Sequence, residues 1–170
     1  MIDALGSVSE FSIGLAGFSG VAAALLQRNR SLQEIDRLRV TINVVVSLTP
    51  GIWALVLIAL LEMGVPVERA VRWASVGFLT THLGWIAMTQ WMRSKLPDEQ
   101  KAQFNPVVMR VAQLLTMVSV PLNVYNIVIF PEAASGILVL VLVLGLVQGG
   151  SMFAGMLWQL MGSSSKSPNN

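Results

Sequence analysis

The stretch Ile13–Leu26, IGLAGFSGVAAALL, holds three glycines and four alanines and no charged residue. In water, each glycine inside a helix costs about 1 kcal/mol relative to alanine, so this would be a poor helix on a soluble protein. Hydrocarbon changes the balance. Acyl chains are as apolar as leucine, so helices gain little by burying large side chains against one another. Small residues that let two backbones approach closely then carry the association. The solvent around this segment decides the fold, and the rest of the chain identifies that solvent.

The 170 residues are 54% hydrophobic and 12% charged, with a mean hydropathy of +0.68. A soluble domain carries about 25% charged residues, so half the expected charge is missing. What remains gathers in short islands. The apolar tracts between them reach the roughly 20 residues that a bilayer-spanning helix needs. The sequence therefore predicts an all-α polytopic transmembrane bundle of about five helices, over 10–27, 40–63, 70–92, 107–130 and 135–161. These form one domain over 1–162, followed by a polar tail over 163–170 expected to be disordered. The opening MIDALGSVSEFS lacks a basic segment and a convincing cleavage signal, so the first helix is expected to be retained.

Local signals punctuate these spans. SLQE places Ser31 and Glu34 at capping-box spacing ahead of the second helix, which predicts a cytosolic helical turn running into the membrane. Asn105 suits an N-cap and Pro106 the first turn of the fourth. GVPVE and PEAAS read as tight, proline-containing turns. They pair the second helix with the third and the fourth with the fifth. Each hairpin would be entered through a proline-kinked helix, at Pro50 and Pro121, which suggests a parallel repeat with the first helix appended.

Basic residues orient the bundle. Arg28, Arg30, Arg37, Arg39, Arg93, Lys95, Lys101, Arg110 and Lys166 fall on one side, against Arg69 and Arg72 on the other. The expected topology is N-terminus outside and C-terminus cytoplasmic, with Trp73, Trp91 and Trp158 near the interfaces. The positive charge lies beside apolar tracts, so it points to the bilayer as partner and not to nucleic acid.

In the first helix Ser12, Ala16, Gly20 and Ala24 recur every four residues, with Gly17 beside them, and Gly145 and Gly149 repeat that spacing in the last. Such stripes serve either packing within the bundle or a homo-oligomeric interface, and an oligomer is expected. At membrane depth the polar residues are His82, Gln113, Asn123, Asn126 and Gln148. Pro50 and Pro121 free backbone acceptors at Val46 and Met117, which protein or water must satisfy. Gln113, Thr116, Ser119, Asn123 and Asn126 form a strip about four turns long on the fourth helix. His82 shares a face with Ser75 and Thr89. These residues are candidates either for a hydrated path carrying an ion or small polar solute, or for hydrogen bonds that only hold helices together. For His82 that second role means a neutral imidazole bonded to a freed carbonyl or to Asn123.

Absences narrow the classes. Glu10, Glu62 and Glu132 lie near the outer boundary and no carboxylate lies deep, which weighs against proton- or sodium-coupled carriers. One histidine and no cysteine leave no basis for a zinc site or other metal. No nucleophilic triad or phosphate loop is present, so no enzyme and no cofactor are expected.

AGFSGVAAAL at 16–25, followed by basic residues and DRLRV at 36–40, resembles a family of small multi-pass bacterial inner-membrane proteins with an AGFSG-type first helix and no established function. The resemblance is specific over the first quarter of the chain. It implies an inner-membrane location and contributes no activity, cofactor or functional residue. The sequence thus leads to an oligomeric, channel-like or passive transport protein with a polar midplane path. The alternative is a non-transporting scaffold or partner protein, and a third reading, lipid binding beside Arg72, rests on one charge.

Overall fold

A computed structural model describes the backbone of residues 1–29, 34–102 and 104–164 and the side chains of 1–24, 35–102 and 104–158. The expected SLQE cap at Ser31 and the tail beyond 164 lie outside the described residues. The fold is an all-α bundle. Its elements are α1 (Ile2–Asn29), α2 (Glu34–Glu62), α3 (Val67–Ser94), the single turn α4 (Asp98–Lys101), α5 (Pro106–Val128) and α6 (Ala134–Ser164). Stretches within α1, α2, α5 and α6 are long and apolar enough to cross a membrane. The helices present large apolar side chains outward, among them Phe11, Phe18, Leu114 and Val128. Exposed apolar area on this scale marks an interaction surface, and here the bilayer supplies it.

Helix α3 is the exception. It is 28 residues long, yet Ser75, Thr80, Thr81, His82, Thr89 and Gln90 dilute its hydropathy, and it is not among the four apolar spans. It still runs back beside α2. Gly64 adopts φ 78°, and the Gly64 and Val65 N–H groups donate to Leu61 and Leu60 carbonyls, both at 3.0 Å. That is a Schellman stop, in which glycine takes the left-handed position without a Cβ clash. Val65, Leu60 and Leu61 all pack against the main core. At the start of α5, the Asn105 side chain accepts from the Val107 N–H at 2.9 Å, as an N-cap should.

Helices α2, α3, α5 and α6 form a ring in which each touches its neighbours, and α1 lies outside it against α2 and α6. The connections put two tight turns, Met63–Pro66 and Ile129–Ala133, at one end of the ring. The basic segments, with Arg37, Arg39, Arg93, Lys95 and Lys101, lie at the other. The main core occupies the turn end, where Leu5, Leu57, Val71, Phe78, Leu138 and Leu142 are all buried. At the basic end only Leu38, Ile42 and Leu96 form a second, smaller core.

Small residues set the spacing around α2. A Cβ on Gly51 would lie 2.5 Å from Ser12 Cβ of α1. One on Gly149 would meet Ser47 Oγ at 2.8 Å and Ser47 Cα at 3.1 Å, and one on Gly145 would meet Pro50 at 2.9 Å. A Cβ on Gly77 would overlap the Trp53 ring, whose indole N–H donates to Thr81 at 3.2 Å. Pro50 and Pro121 both lie inside unbroken helices.

The small stripe of the first helix lies only partly on the face that meets the bundle. Ser12 is buried and Ala16 half-buried, but Gly20 and Ala24 are exposed, and nothing lies within 4 Å of a Cβ on Gly17 or Gly20. The contact face instead runs through Leu5, Val8, Ser9, Ser12, Ser19 and Ala22. A four-residue step turns the helix by about 400°, so a strict four-residue stripe drifts off a straight seam, whereas alternating steps of three and four stay on it. This seam also explains why α1 starts at Ile2 and not near residue 10: Leu5 and Val8 are needed in the core.

Gly51→Ala should lower stability by about 1–3 kcal/mol through overpacking, whereas Gly20→Ala should leave it unchanged or raise it by up to about 1 kcal/mol. Reversible unfolding in detergent micelles measures both.

Candidate functional site

The seam between α3 and α5 is different at its two ends. Near the turn end Ser75 of α3 is fully buried and takes two bonds from α5. Asn123 Nδ2 donates to the Ser75 carbonyl at 3.1 Å and Asn126 Nδ2 donates to Ser75 Oγ at 3.0 Å. Both asparagines are buried. The predicted alternative partner for Asn123, His82, is therefore replaced by Ser75, two helical turns away along α3. Antiparallel packing puts the start of α3 beside the end of α5, and that register puts Ser75 within reach.

Toward the basic end the two helices separate. The gap is a cavity of about 400 Å³, within the ~300–1,000 Å³ typical of small-molecule sites. Helix α3 contributes His82, Trp85 and Thr89, α5 contributes Met109, Gln113 and Thr116, α2 contributes Ile42 and Val46, and α6 contributes Gln148 and Met152. Gln90, Gln113 and Met117 line it and are also exposed on the bundle surface, so the cavity opens sideways between α3 and α5. No Asp or Glu lines it.

At its deep end the cavity reaches a pocket of about 10 Å³ that shares Val46, His82, Trp85 and Gln148 with it, and Pro50, Phe78 and Gly145 close that pocket toward the turn end. His82 stacks on Phe78 with ring centroids 5.6 Å apart. Its Nε2 is buried and has no hydrogen-bond partner among the described residues. Pro50 has no N–H, which leaves the Val46 carbonyl without its helical donor, and Val46, His82 and Gln148 all line the small pocket. A space of roughly 10–15 Å³ suffices for one water.

Toward the basic mouth the cavity continues into a pocket of about 90 Å³, with Ile42, Thr89, Met109 and Met152 common to both. Arg39, Arg93, Phe104 and Asn105 border this mouth. In the adjoining loop Lys101 donates to Asp98 at 2.9 Å, and that bond holds the Asp98 carboxyl below its usual range.

The five polar residues singled out from the sequence thus fall into two groups. His82, Gln113 and Gln148 meet around the cavity, while Asn123 and Asn126 bond to Ser75 and do not line it. Gly145 and Gly149 lie buried against α2. Arg72 stands apart at the turn end, 3.5 Å from Glu68 and 4.9 Å from the Phe130 ring centroid. Sequence reasoning missed Trp85, Met109, Met152 and Phe104 as lining residues, because apolar side chains on an apolar helix carry no mark of which face meets a cavity. Arg39 and Arg93 were visible only as topology signals. Among the described residues no group of His, Asp and Glu could hold a metal ion. No family model, curated protein or solved structure matches the chain.

Asn126→Leu should lower stability by about 0.5–1.7 kcal/mol, the range of interhelical hydrogen bonds in membranes, as read by unfolding in micelles. The chain has no cysteine, so accessibility is directly measurable. Gln113→Cys and Met117→Cys should react with a water-soluble maleimide at least about tenfold faster than Asn126→Cys, as burial of the last excludes the reagent.

Proposed function

We propose that this chain is a passive membrane transport protein with a vestibule open at its basic, cytoplasmic end and a gate at its turn end. One observation carries the reading: the same pair of helices, α3 and α5, is latched at one end and parted by a cavity at the other. A solute entering from the basic end would reach His82 and Gln148 and stop below the latch. The latch is suited to opening. Two donors converge on one serine while Asn123 Oδ1 and Asn126 Oδ1 have no partner among the described residues, and a partly satisfied polar network holds less firmly than a complete one. Interhelical bonds of this kind average only about 0.6 kcal/mol. The cavity offers no carboxylate to bind a driving proton or sodium ion, which supports downhill movement.

On this reading α3 is a fifth crossing, the tight turns face outward and the N-terminus is outside. The excess of Lys and Arg at the other end supports that orientation. The membrane is the bacterial inner membrane, as the resemblance of the first helix implies. Gly17, Gly20 and Ala24, outward on α1, would meet a second copy in a homo-oligomer. The scaffold reading keeps one observation in its favour: Asn43 Nδ2 donates to Ser19 Oγ at 3.1 Å, a buried bond that joins α1 to α2 and does not line the vestibule.

Flux separates the two. Proteoliposomes holding the full chain should pass one or more of potassium, glycerol and benzenesulfonate down their gradients faster than empty vesicles. In the Ser75→Cys, Asn126→Cys protein an oxidant should close the gate and cut that flux at least about tenfold, with recovery on reduction, because two positions whose side chains meet across the latch, Asn126 Nδ2 to Ser75 Oγ at 3.0 Å, would then be covalently joined. Folded protein with no flux for any of the three gives the scaffold reading.

A further inference from the structure

The mouth of the vestibule brings two like charges together. The Arg39 and Arg93 guanidinium carbons lie 5.3 and 5.4 Å from the centroid of one ring, Phe104. Asp36 sits 3.5 Å from Arg39 and offsets its charge. Among the described residues no carboxylate is within ion-pair distance of Arg93. A guanidinium ion at the edge of an apolar bundle is costly unless something negative or aqueous compensates it, and the ring face compensates only in part.

The space in front of Arg93 is not a shallow surface. It continues through Thr89, Met109 and Met152 into the larger cavity and ends at His82 and Gln148. Its walls combine apolar side chains with neutral polar ones, and methionines there can adapt to an irregular guest. The deep end carries an independent sign of a ligand: His82 is nine-tenths buried, and its Nε2 has no partner among the described residues. Cations are disfavoured throughout, since among the described residues the only charged ones lining this space are arginines.

We infer that the vestibule binds an amphipathic organic anion, with its oxyanion on Arg93 beside Phe104 and its apolar body among Met109, Met152 and Trp85, pointing toward His82. The inference rests on the vestibule proposed above, but it concerns binding and not flux. Two sources share this chemistry. A fatty acid would enter from the bilayer through the side opening between α3 and α5, whereas a soluble aromatic carboxylate would enter at the basic mouth.

The test titrates the full chain in phosphatidylcholine nanodiscs and follows tryptophan emission, with Trp85→Phe identifying the part of the signal that comes from the cavity. Laurate and 4-phenylbutyrate are the two anionic probes. Their alcohols, 1-dodecanol and 4-phenylbutanol, and dodecyltrimethylammonium are the controls. Saturable binding is expected for one acid or both, with laurate alone indicating the bilayer route and 4-phenylbutyrate alone the aqueous one. The matched alcohols should bind at least about tenfold more weakly, as should the acids to Arg93→Gln, which is the scale of one charge-assisted hydrogen bond. Arg93→Lys should recover much of the loss. Met109→Phe, which narrows the cavity and keeps the charge, should weaken the acids as well and serves if Arg93→Gln does not fold. Alcohols binding as tightly as acids, Arg93→Gln and Met109→Phe both binding normally, or no saturable response to either acid would each overturn the proposal. Acid binding without flux removes the transport reading and leaves this one. Flux without acid binding does the reverse.

Discussion

Ser75 holds α3 to α5 with both of its oxygens, and the shape of the bundle follows from where along the helices that joint falls. In hydrocarbon, a buried amide that finds no partner in the chain has no water to turn to. Asn123 and Asn126 therefore fix the register of α5 against α3 in a way that apolar contacts, which are nearly as good with lipid, could not. Because the joint lies near the turn end, the remaining length of the seam has no such requirement. There the helices part, and the cavity is what their separation leaves.

The opposite side of the ring is closed by a different means. Helix α2 is approached by α1 at Gly51, by α6 at Gly145 and Gly149, and presses Trp53 onto Gly77 of α3. Each contact is made where a missing Cβ admits a neighbour. Pro50 sits at the centre of these approaches, buried, with α6 packed on its ring. The bundle thus has a tight half built on dispersion between small residues and a looser half around His82 and Gln148. Dense packing resists repacking, so the gating movement proposed above would fall in the looser half and in the bonds that bound it.

Much of this was legible in the sequence, and the boundary is physical. Asn105 announced its N-cap, Gly64 its turn, and Gly145 with Gly149 a close backbone approach, because each depends on local backbone chemistry. The stripe on α1 divides between the two roles open to it. Ser12, Ala16, Gly20 and Ala24 look like one face when counted in fours, but the neighbouring helices follow Ser9, Ser12 and Ser19. The early start of α1 and the turn at α4 were also missed. Leu5 and Val8 are helical because a core needs them, which nothing in MIDALGSVSE reveals.

The polar residues on α5 show the same division within one helix. Gln113, Thr116, Asn123 and Asn126 form a strip on one side of α5, and the sequence identifies them together because their spacing is intrinsic to the helix. Only the crossing of α3 sorts them, giving Ser75 to the two asparagines and open space to the other two. The sequence by itself determined the apolar surround, the long helices and the spacing of the polar groups along each, since these depend on composition and on the period of one chain segment. The tertiary structure alone decided which polar groups meet one another and which meet a cavity, since that depends on the relative height and divergence of two helices whose mutual register no single segment encodes.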